Sequence, residues 1–280
     1  MVRAGTPMEK IDKMLSKWDH RVGSNPLFKK LIRERFWPTN TRKLDGIDQL
    51  FFNFGYEEDP PMGLQLDASD EPNRVWIQHY YHLASQADLA GKDVLEVSCG
   101  HGGGASYLVR TFAPSSYTGL DFNEPGIEFC KKRHHQPGLR FVHGNAEELP
   151  FPDRSFDVVI NMEASHIYDH FERFLGEVTR VLRPGGHFLY ADYRPRESVP
   201  AWEEALAHAP MQLVAREDVN AEVVRSLRLT TPRSIEQINH ASPFFMRGFA
   251  KQMSWVEGSR AFRDVERGDI CYRQHHFVRD

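Results

Sequence analysis

A glycine-rich turn between an apolar strand and a helix is the feature that most constrains the fold. The run from Asp93 to Ser98 (DVLEVS) has the β-branched, apolar composition of a strand, and it leads directly into the sequence CGHGGG at 99–104. Glycines let the backbone approach a ligand closely, and the N–H groups that open the next helix bind a carboxylate or phosphate. The turn therefore predicts a ligand site at the end of a strand.

Strand-like and helix-like segments alternate after this turn, which predicts a parallel α/β sheet. Further strand-like runs begin at residues 116, 139, 156 and 187. The helix before the last of these runs meets Pro184-Gly185-Gly186, where proline and paired glycines cannot continue it. The tail from Asp269 to Arg279 predicts a final strand, and residues 197–250 are interpreted as mainly helical.

The chain divides into a basic N-terminal segment and the regular domain. Residues 1–50 carry eleven Lys or Arg against six Asp or Glu, and residues 8–36 predict two helices. The next stretch, Phe51 to Pro72, has six acidic residues, no basic one, and the breaker Asp59-Pro60-Pro61. We predict a helical cap over residues 1–72 and a ligand-binding domain over 73–280, with a helical insertion at about 197–255.

Composition limits the class of protein. A chain of 280 residues with 40% hydrophobic content can bury a large core, and a net charge of −4 gives no basic face for nucleic acid. Cys99, Cys130 and Cys271 are spaced for neither a disulfide framework nor a zinc cluster, which favours a reducing cytoplasm. No apolar run is long enough for a membrane span, so we expect a soluble protein without stable membrane insertion.

The glycine-rich turn alone leaves the cofactor open. Residues Gly100 to Ala105 satisfy the dinucleotide pattern G-x-G-x-x-A, and Asp121 follows Gly100 by 21 residues, where a ribose-binding acid is expected. On this evidence an NAD-dependent oxidoreductase remains an alternative.

Three further features favour a different cofactor. Glu96 lies inside the first strand, Gly144-Asn145-Ala146-Glu147 follows the third, and LRPGG at 182–186 precedes the fifth. Together with the turn, they resemble class I S-adenosylmethionine-dependent methyltransferases. This resemblance implies a Rossmann-like fold, with a mainly parallel seven-stranded sheet and helices on both faces. It also implies S-adenosylmethionine as the cofactor, with S-adenosylhomocysteine as its product.

The same resemblance implies which residues bind that cofactor. Asp121 would bind the ribose hydroxyls, and Asn145 would meet the adenine amine where aspartate is commoner in the superfamily; an amide oxygen still accepts a hydrogen bond. The complete implied set is Tyr80, Glu96, Ser98, Gly100, Gly102, Asp121, Phe122, Asn145, Ala146 and Met162.

A narrower resemblance concerns the acceptor. The block FGYEEDPPMGLQLDASDEPNR at 54–74, with MEASHIY at 162–168, is similar to mycobacterial phthiotriol dimycocerosate methyltransferases and actinobacterial natural-product methyltransferases. It implies O-methylation of a hydroxyl group on a small or lipid-like molecule. A sister group methylates carbon in prenylated substrates and provokes cyclisation, so C-methylation stays open as an alternative.

His166 is the candidate base for an O-methyltransferase, and Asp192 is its candidate partner. The two residues follow the fourth and fifth strands, at the carboxyl edge where doubly wound folds bind their ligands. A carboxylate against one imidazole nitrogen fixes the tautomer and leaves the other nitrogen for the acceptor hydroxyl. A structural or substrate-binding histidine is the alternative.

Other residues are open to two interpretations. Glu163 could orient the substrate, but a charged residue on a loop after a strand is more often solvated, so we place it outside the catalytic core. Tyr80 could shape the cofactor pocket or pack in the core. An aromatic group could line the acceptor pocket or pack in the core: Phe244, Phe245, Phe249 and Trp255.

The sequence predicts no metal site, because the pairs His134-His135 and His275-His276 point their side chains apart and lack a third ligand at suitable spacing. The basic N-terminal helices could touch an anionic membrane surface, but a cap or a subunit contact is favoured. We predict a homo-oligomer through apolar positions of these helices: Leu31, Ile32, Phe36 and Trp37.

Overall fold

The computed structural model describes residues 26–43, 49–241, 247–252 and 254–280. At its centre lies one sheet of seven strands. They are β1 (Asp93–Val97), β2 (Ser116–Asp121), β3 (Leu139–His143), β4 (Phe156–Met162), β5 (Leu182–Pro195), β6 (Met211–Asp218) and β7 (Ile270–Arg279).

The strand order is β3-β2-β1-β4-β5-β7-β6, and the first five strands in that order are parallel neighbours. Strand β7 pairs antiparallel with both β5 and β6. The chain reverses its direction of travel across the sheet beside β1, which is where such folds open a crevice for a ligand. This topology confirms the expected Rossmann-like, mainly parallel seven-stranded sheet.

Helices cover both faces of the sheet. They are α1 (Pro26–Leu31), α2 (Trp37–Lys43), α3 (Arg74–Ala84), α4 (Gly103–Phe112), α5 (Glu124–Arg133), α6 (Phe171–Val181), α7 (Val199–His208), α8 (Asn220–Ala241), α9 (Arg247–Gln252) and α10 (Arg260–Glu266). A π-helical turn, Ile32–Phe36, joins α1 to α2.

The alternating side chains of the strands build two cores. On β1, Val94 belongs to the cluster that packs under α3, α4 and α5, whereas Leu95 and Val97 belong to the cluster under α6 and α7. Successive strand side chains point to opposite faces, so a strand that is apolar at both sets of positions must be covered twice. The fully buried strand β1 fixes the three-layer arrangement.

Two segments were expected to be helical from the sequence, residues 8–36 and residues 197–250. The first of the two helices expected within residues 8–36 lies outside the described residues, and the second corresponds to α1 and its continuation. The mainly helical interpretation of residues 197–250 is wrong over Met211–Asp218, which form strand β6 at the sheet edge. Among the described residues, no helix combines the length and apolar character needed to cross a membrane.

Candidate active site

The carboxyl ends of β1, β2, β4 and β5 meet at one edge of the sheet, where most of the expected functional residues lie. Gly100 and Gly102 adopt left-handed backbone angles, with φ of 57° and 73°, so glycine is favoured at both positions. A Cβ atom on Gly102 would lie 2.9 Å from the ring of Phe141. The turn is therefore both conformationally and sterically reserved for glycine.

Asp121 closes this turn from the end of β2. Its Oδ2 accepts the N–H of Gly100 at 2.8 Å, and its Oδ1 accepts the N–H of Asn123 at 2.8 Å. Each carboxylate oxygen has a further lone pair for a hydroxyl donor. The arrangement joins the glycine-rich turn to the next loop and presents an acceptor pair for a diol such as a ribose.

Ser98, the residue after β1, is held by a chain of hydroxyl and amide groups. Its Oγ lies 2.6 Å from the hydroxyl of Tyr168, which also accepts from Nδ2 of Asn161 at 2.9 Å. Ser98 has a φ of 62°, which is rare for a residue with a side chain. This strained backbone is supported by the Tyr168 contact.

Phe122, Asn145 and Ala146 lie on the neighbouring loops. The Phe122 side chain is 36% exposed, and the guanidinium of Arg33 sits 5.2 Å from its ring centroid. Asn145 is exposed and its Oδ1 accepts the N–H of Glu147, which shapes the turn after β3; Ala146 is buried. An exposed aromatic face beside a polar turn suits a flat heterocycle.

Tyr80, Glu96 and Met162 lie deeper than the other expected cofactor residues. The hydroxyls of Tyr80 and Tyr117 donate to the two oxygens of Glu96, each at 2.9 Å, and Glu96 is fully buried. Burial raises the pKa of Glu96 to about 7, although both hydrogen bonds lower it. The geometry shows a carboxyl group that fixes two tyrosine rings, and direct cofactor contacts by these three residues stay predictions.

His166 and Asp192 are brought together at this edge. His166 Nδ1 lies 2.9 Å from Asp192 Oδ1, and the His166 backbone N–H donates to Asp192 Oδ2 at 2.9 Å. Asp192 is fully buried, whereas the His166 side chain is 24% exposed. The pairing is the one expected from the strand ends, and it leaves the imidazole accessible.

Asp192 is ionised because of its neighbours. Burial alone would raise its pKa, but the Arg194 guanidinium, 3.1 Å from Oδ2, and His166 hold the pKa well below its usual range. Ser165 Oγ also donates to Oδ2 at 2.6 Å. A permanently charged acceptor beside Nδ1 keeps the proton on that nitrogen.

The second ring nitrogen of His166 faces aromatic groups. Nε2 lies 3.1 Å from the Tyr193 hydroxyl, and the two rings are 4.4 Å apart. With the Nδ1 proton directed at Asp192, Nε2 is the acceptor in this contact. It can therefore receive a proton from a hydroxyl group placed where the Tyr193 hydroxyl now lies.

Glu163 corrects the expectation of a solvated loop residue. Its side chain is 5% exposed, and its Oε1 accepts the N–H of Phe54 at 2.8 Å and the hydroxyl of Tyr272 at 2.7 Å. Both donors lie 109 residues away along the chain. From the sequence we expected Glu163 to be solvated and placed it outside the catalytic core, because its burial depends on these distant partners.

Four aromatic rings pack against one another beside His166 and Glu163. Phe54 stacks on Tyr193 at 5.0 Å and contacts Trp255 at 4.4 Å, and Tyr272 lies 6.2 Å from Tyr193. Trp255 was among the residues expected at an acceptor pocket; the side chains of Phe244, Phe245 and Phe249 lie outside the described residues. The cluster therefore places aromatic rings next to the side chains of His166 and Glu163.

Helix α2 contacts the glycine-rich turn and the loop that follows β2. His101 Nδ1 contacts the carbonyl oxygen of Gln49, which can only accept, so Nε2 accepts the hydroxyl of Thr41 at 3.0 Å. The Thr41 oxygen in turn accepts from Asn123 Nδ2 at 2.8 Å. Thr41 therefore links α2 to both the glycine-rich turn and the loop after Asp121.

Comparisons with known proteins agree with this geometry. Residues 95–190 match a family model described as a methyltransferase domain. A phthiotriol/phenolphthiotriol dimycocerosates methyltransferase of Mycobacterium tuberculosis is 52% identical over 261 residues, which cover 93% of this chain and 96% of the relative. A fatty-acid O-methyltransferase of Mycolicibacterium smegmatis is 50% identical over 239 residues, 85% of this chain and 86% of the relative.

A solved structure shows the same fold at low identity. Geranyl diphosphate methyltransferase in complex with S-adenosylmethionine is 16% identical, has a TM-score of 0.61, and aligns over 82% of this chain and 99% of its own. Fold, motifs and relatives together define an S-adenosylmethionine-dependent methyltransferase of class I. Within that class, the chain belongs to the family of the phthiotriol/phenolphthiotriol dimycocerosates methyltransferases.

Proposed function

We propose that this protein transfers the methyl group of S-adenosylmethionine to a hydroxyl oxygen of a lipid-like acceptor, with His166 as general base. The names of the relatives support the acceptor class, since they mention phthiotriol dimycocerosates and a fatty acid. The observation that carries the proposal is the His166 imidazole, which is fixed through Nδ1 by the buried carboxylate of Asp192 and contacts the Tyr193 hydroxyl through Nε2. An acceptor hydroxyl would replace the Tyr193 hydroxyl at that nitrogen.

The residues at the sheet edge fit the cofactor. The bare backbone at Gly100 and Gly102 would border its amino-acid and sugar parts, the Asp121 oxygens would accept from the ribose hydroxyls, and Phe122 and Asn145 would flank the adenine. When bound, S-adenosylmethionine supplies a methyl group activated by a positively charged sulfur.

The chain's own contribution to methyl transfer is positioning and proton removal. An acceptor hydroxyl at Nε2 of His166 loses its proton to that nitrogen as its oxygen takes the methyl group. The Asp192 carboxylate then stabilises the imidazolium ion that forms. A neutral alcohol is a weak nucleophile. We therefore expect proton removal by His166 to be the largest contribution of any side chain to the rate of methyl transfer.

The substitution His166→Ala tests the base role. We expect turnover to fall by about 10²–10⁴-fold, the usual contribution of a general base, while the affinity for S-adenosylhomocysteine measured by calorimetry stays within about twofold. His135→Ala, at an exposed histidine, is the matched control and should retain full turnover. Unchanged turnover of His166→Ala would contradict the role of His166 as general base.

The aromatic cluster supports a second candidate, C-methylation of a prenylated acceptor. The Phe54 ring lies 5.0 Å from the Tyr193 ring and 4.4 Å from the Trp255 ring, and aromatic rings can stabilise a carbocation through their π-faces. In that reaction His166 would stabilise or deprotonate the cation. Locating the added methyl group by NMR distinguishes the two candidates, because product mass is the same for both.

The N-terminal helices carry the proposal of a homo-oligomer. Leu31 and Phe36 are 55% and 52% exposed, whereas Ile32 and Trp37 are half-buried. Two large apolar side chains on one short segment suit a contact with a second subunit. This contact, the cytoplasmic location and the domain boundary at residue 72 stay predictions.

A further inference from the structure

The backbone of Glu163 is strained at the carboxyl edge of the sheet. This residue follows β4 directly and has a φ of 49°, in the region that side chains rarely adopt. Its N–H donates to the carbonyl oxygen of Ala191 at 2.8 Å, next to Asp192 on β5. Backbone strain of this kind clusters at functional sites. The local fold therefore holds this carboxyl group firmly beside the candidate base.

The hydrogen bonds of Glu163 are unevenly divided between its two oxygens. Among the described residues, the Phe54 N–H and the Tyr272 hydroxyl both donate to Oε1. A neutral carboxylic acid in this environment carries its proton on Oε2, since Oε1 already serves as the acceptor. Glu163 in that form is a hydrogen-bond donor.

The groups around Glu163 favour the neutral form. Burial raises its pKa to about 8, and the Asp192 carboxylate raises it further, against the lowering effect of the bonds from Tyr272 and Phe54. Helix α3 brings Tyr80 and His79 to this side, with His79 Nδ1 3.7 Å from Oε1. Burial lowers the pKa of His79 to about 3, so that imidazole is neutral and supplies no positive charge.

Glu163 and His166 contact the same cluster of aromatic residues. The Phe54 backbone binds Glu163, and the Phe54 ring stacks on Tyr193, whose hydroxyl lies 3.1 Å from His166 Nε2. In the proposed reaction His166 accepts a proton, and Glu163 in its neutral form donates a hydrogen bond. A hydrogen-bond acceptor and a hydrogen-bond donor on one aromatic cluster can bind two oxygens of one molecule.

We propose that Glu163 is an acceptor-binding residue that, as a carboxylic acid, donates a hydrogen bond from Oε2 to a second oxygen of the acceptor. This inference rests on the proposed function and narrows the acceptor to lipids with a second oxygen close to the methylated hydroxyl, as in a diol. Glu163 keeps its proton throughout: the hydroxyl proton goes to His166, the methyl group passes from sulfur to oxygen, and S-adenosylhomocysteine leaves.

The first test measures the protonation of Glu163 without any acceptor. Carboxyl ¹³C NMR of glutamate-labelled protein bound to S-adenosylhomocysteine, with the signal assigned by its loss in Glu163→Gln, should show a neutral acid at neutral pH. Tyr272→Phe should move the titration to higher pH, because the Tyr272 hydrogen bond lowers the pKa. A Glu163 carboxyl group that is ionised at neutral pH would overturn the proposal.

The second test measures selection between two acceptors. With hexadecane-1,2-diol and 1-hexadecanol as probes, we expect the wild-type protein to favour the diol by roughly tenfold or more in kcat/KM, since a site built to donate to an oxygen rejects a molecule lacking it. Glu163→Ala should remove the preference mainly through KM. Glu163→Gln, whose amide also donates, should retain part of it, and exposed Glu71→Gln should change nothing.

The pH profile adds a readout that a structural role would not affect. Diol methylation by the wild-type protein should decline as pH rises through about 8, where Glu163 loses its proton, and this decline should be absent in Glu163→Gln. A diol preference that survives in Glu163→Ala would overturn this inference alone. Failure of the wild-type protein to methylate either probe at oxygen would overturn the proposed function, and the acceptor role of Glu163 with it.

Discussion

At the scale of single residues, the site contains two carboxyl groups tuned in opposite directions. Asp192 is held ionised by Arg194 and His166, whereas burial among aromatic rings raises the pKa of Glu163 to about 8. Both residues are buried, so burial alone does not decide their charge; the presence or absence of a cationic neighbour does. In the proposed mechanism, the ionised Asp192 orients the candidate base His166, and the neutral Glu163 donates a hydrogen bond to the acceptor.

Gly102 in the glycine-rich turn combines a positive φ with a close neighbouring ring. Gly102→Ala would place a Cβ atom 2.9 Å from the Phe141 ring, at a φ of 73°. We expect loss of measurable S-adenosylhomocysteine binding by calorimetry and a lower melting temperature, because both the backbone and the neighbouring ring must move.

Gly176 in helix α6 is the matched control for this substitution. No atom lies within 4 Å of a Cβ built there, and the position has ordinary helical geometry. Gly176→Ala should leave binding unchanged and stabilise the fold by about 0.5–1 kcal/mol. Equal binding by the two variants would contradict the close-approach role of Gly102.

The sequence predicted residues whose place follows from strand order, and it missed those fixed by distant contacts. His166 follows β4 closely, and Asp192 lies on the neighbouring parallel strand β5 next to the residue that pairs with the last residue of β4, so their meeting follows from topology. The burial of Glu163 depends on Phe54 and Tyr272, each 109 residues away, and no local pattern indicates either contact. The contact of Tyr193 with His166 is likewise a property of side-chain packing.

At the scale of elements, helix α2 is tied to the cofactor edge through one hydroxyl group. Thr41 donates to His101 Nε2 and accepts from Asn123 Nδ2, and it is 8% exposed. Both partners belong to the loops that would border the cofactor. We therefore predict that helix α2 supports the cofactor site through these two loops.

Thr41→Val tests this coupling, because it keeps the shape of the side chain and removes both hydrogen bonds. Each buried group left without a partner costs about 1–3 kcal/mol, so we expect S-adenosylhomocysteine to bind several-fold more weakly by calorimetry. Thr39→Val, at an exposed position of the same helix, is the control and should bind normally. Equal affinities of the two variants would show that α2 does not support the cofactor edge.

The strands of the sheet differ in how well sequence revealed them. Strands β1 and β4 have buried, β-branched runs, β2 and β5 have buried runs with aromatic residues, and all four were predicted. Strand β6 was missed because Gln212–Asp218 are exposed at the sheet edge. Edge strands need no apolar face to complete their hydrogen bonds, so their pattern is weak. Strand β6 is specified by its pairing with β7 and not by its own composition.

At the scale of the whole molecule, buried histidines make the fold sensitive to acid. His79 is fully buried, and its pKa falls from an ordinary value of 6.5 to about 3 because of burial. A group with a depressed folded-state pKa contributes stability that is present above its unfolded value and is lost as pH falls toward its folded value. The contribution of His79 should therefore disappear between pH 6.5 and about 3.

His79→Phe isolates this contribution. The ring is similar in shape and does not titrate, so urea unfolding at a series of pH values should give a shallower acid decline for the variant than for the wild-type protein. The exposed substitution His135→Ala should follow the wild-type curve. Parallel curves for His79→Phe and wild type would contradict the assignment of a neutral, buried His79.

The most direct test of the central claim is to follow a labelled methyl group from S-adenosylmethionine to a long-chain hydroxylated lipid and locate it by ¹³C NMR. We predict that the wild-type protein forms a methyl ether at the acceptor oxygen and that His166→Ala forms this ether much more slowly. A methyl group on carbon, or equal ether formation by the His166→Ala variant, would contradict a hydroxyl-directed methyltransferase with His166 as its base.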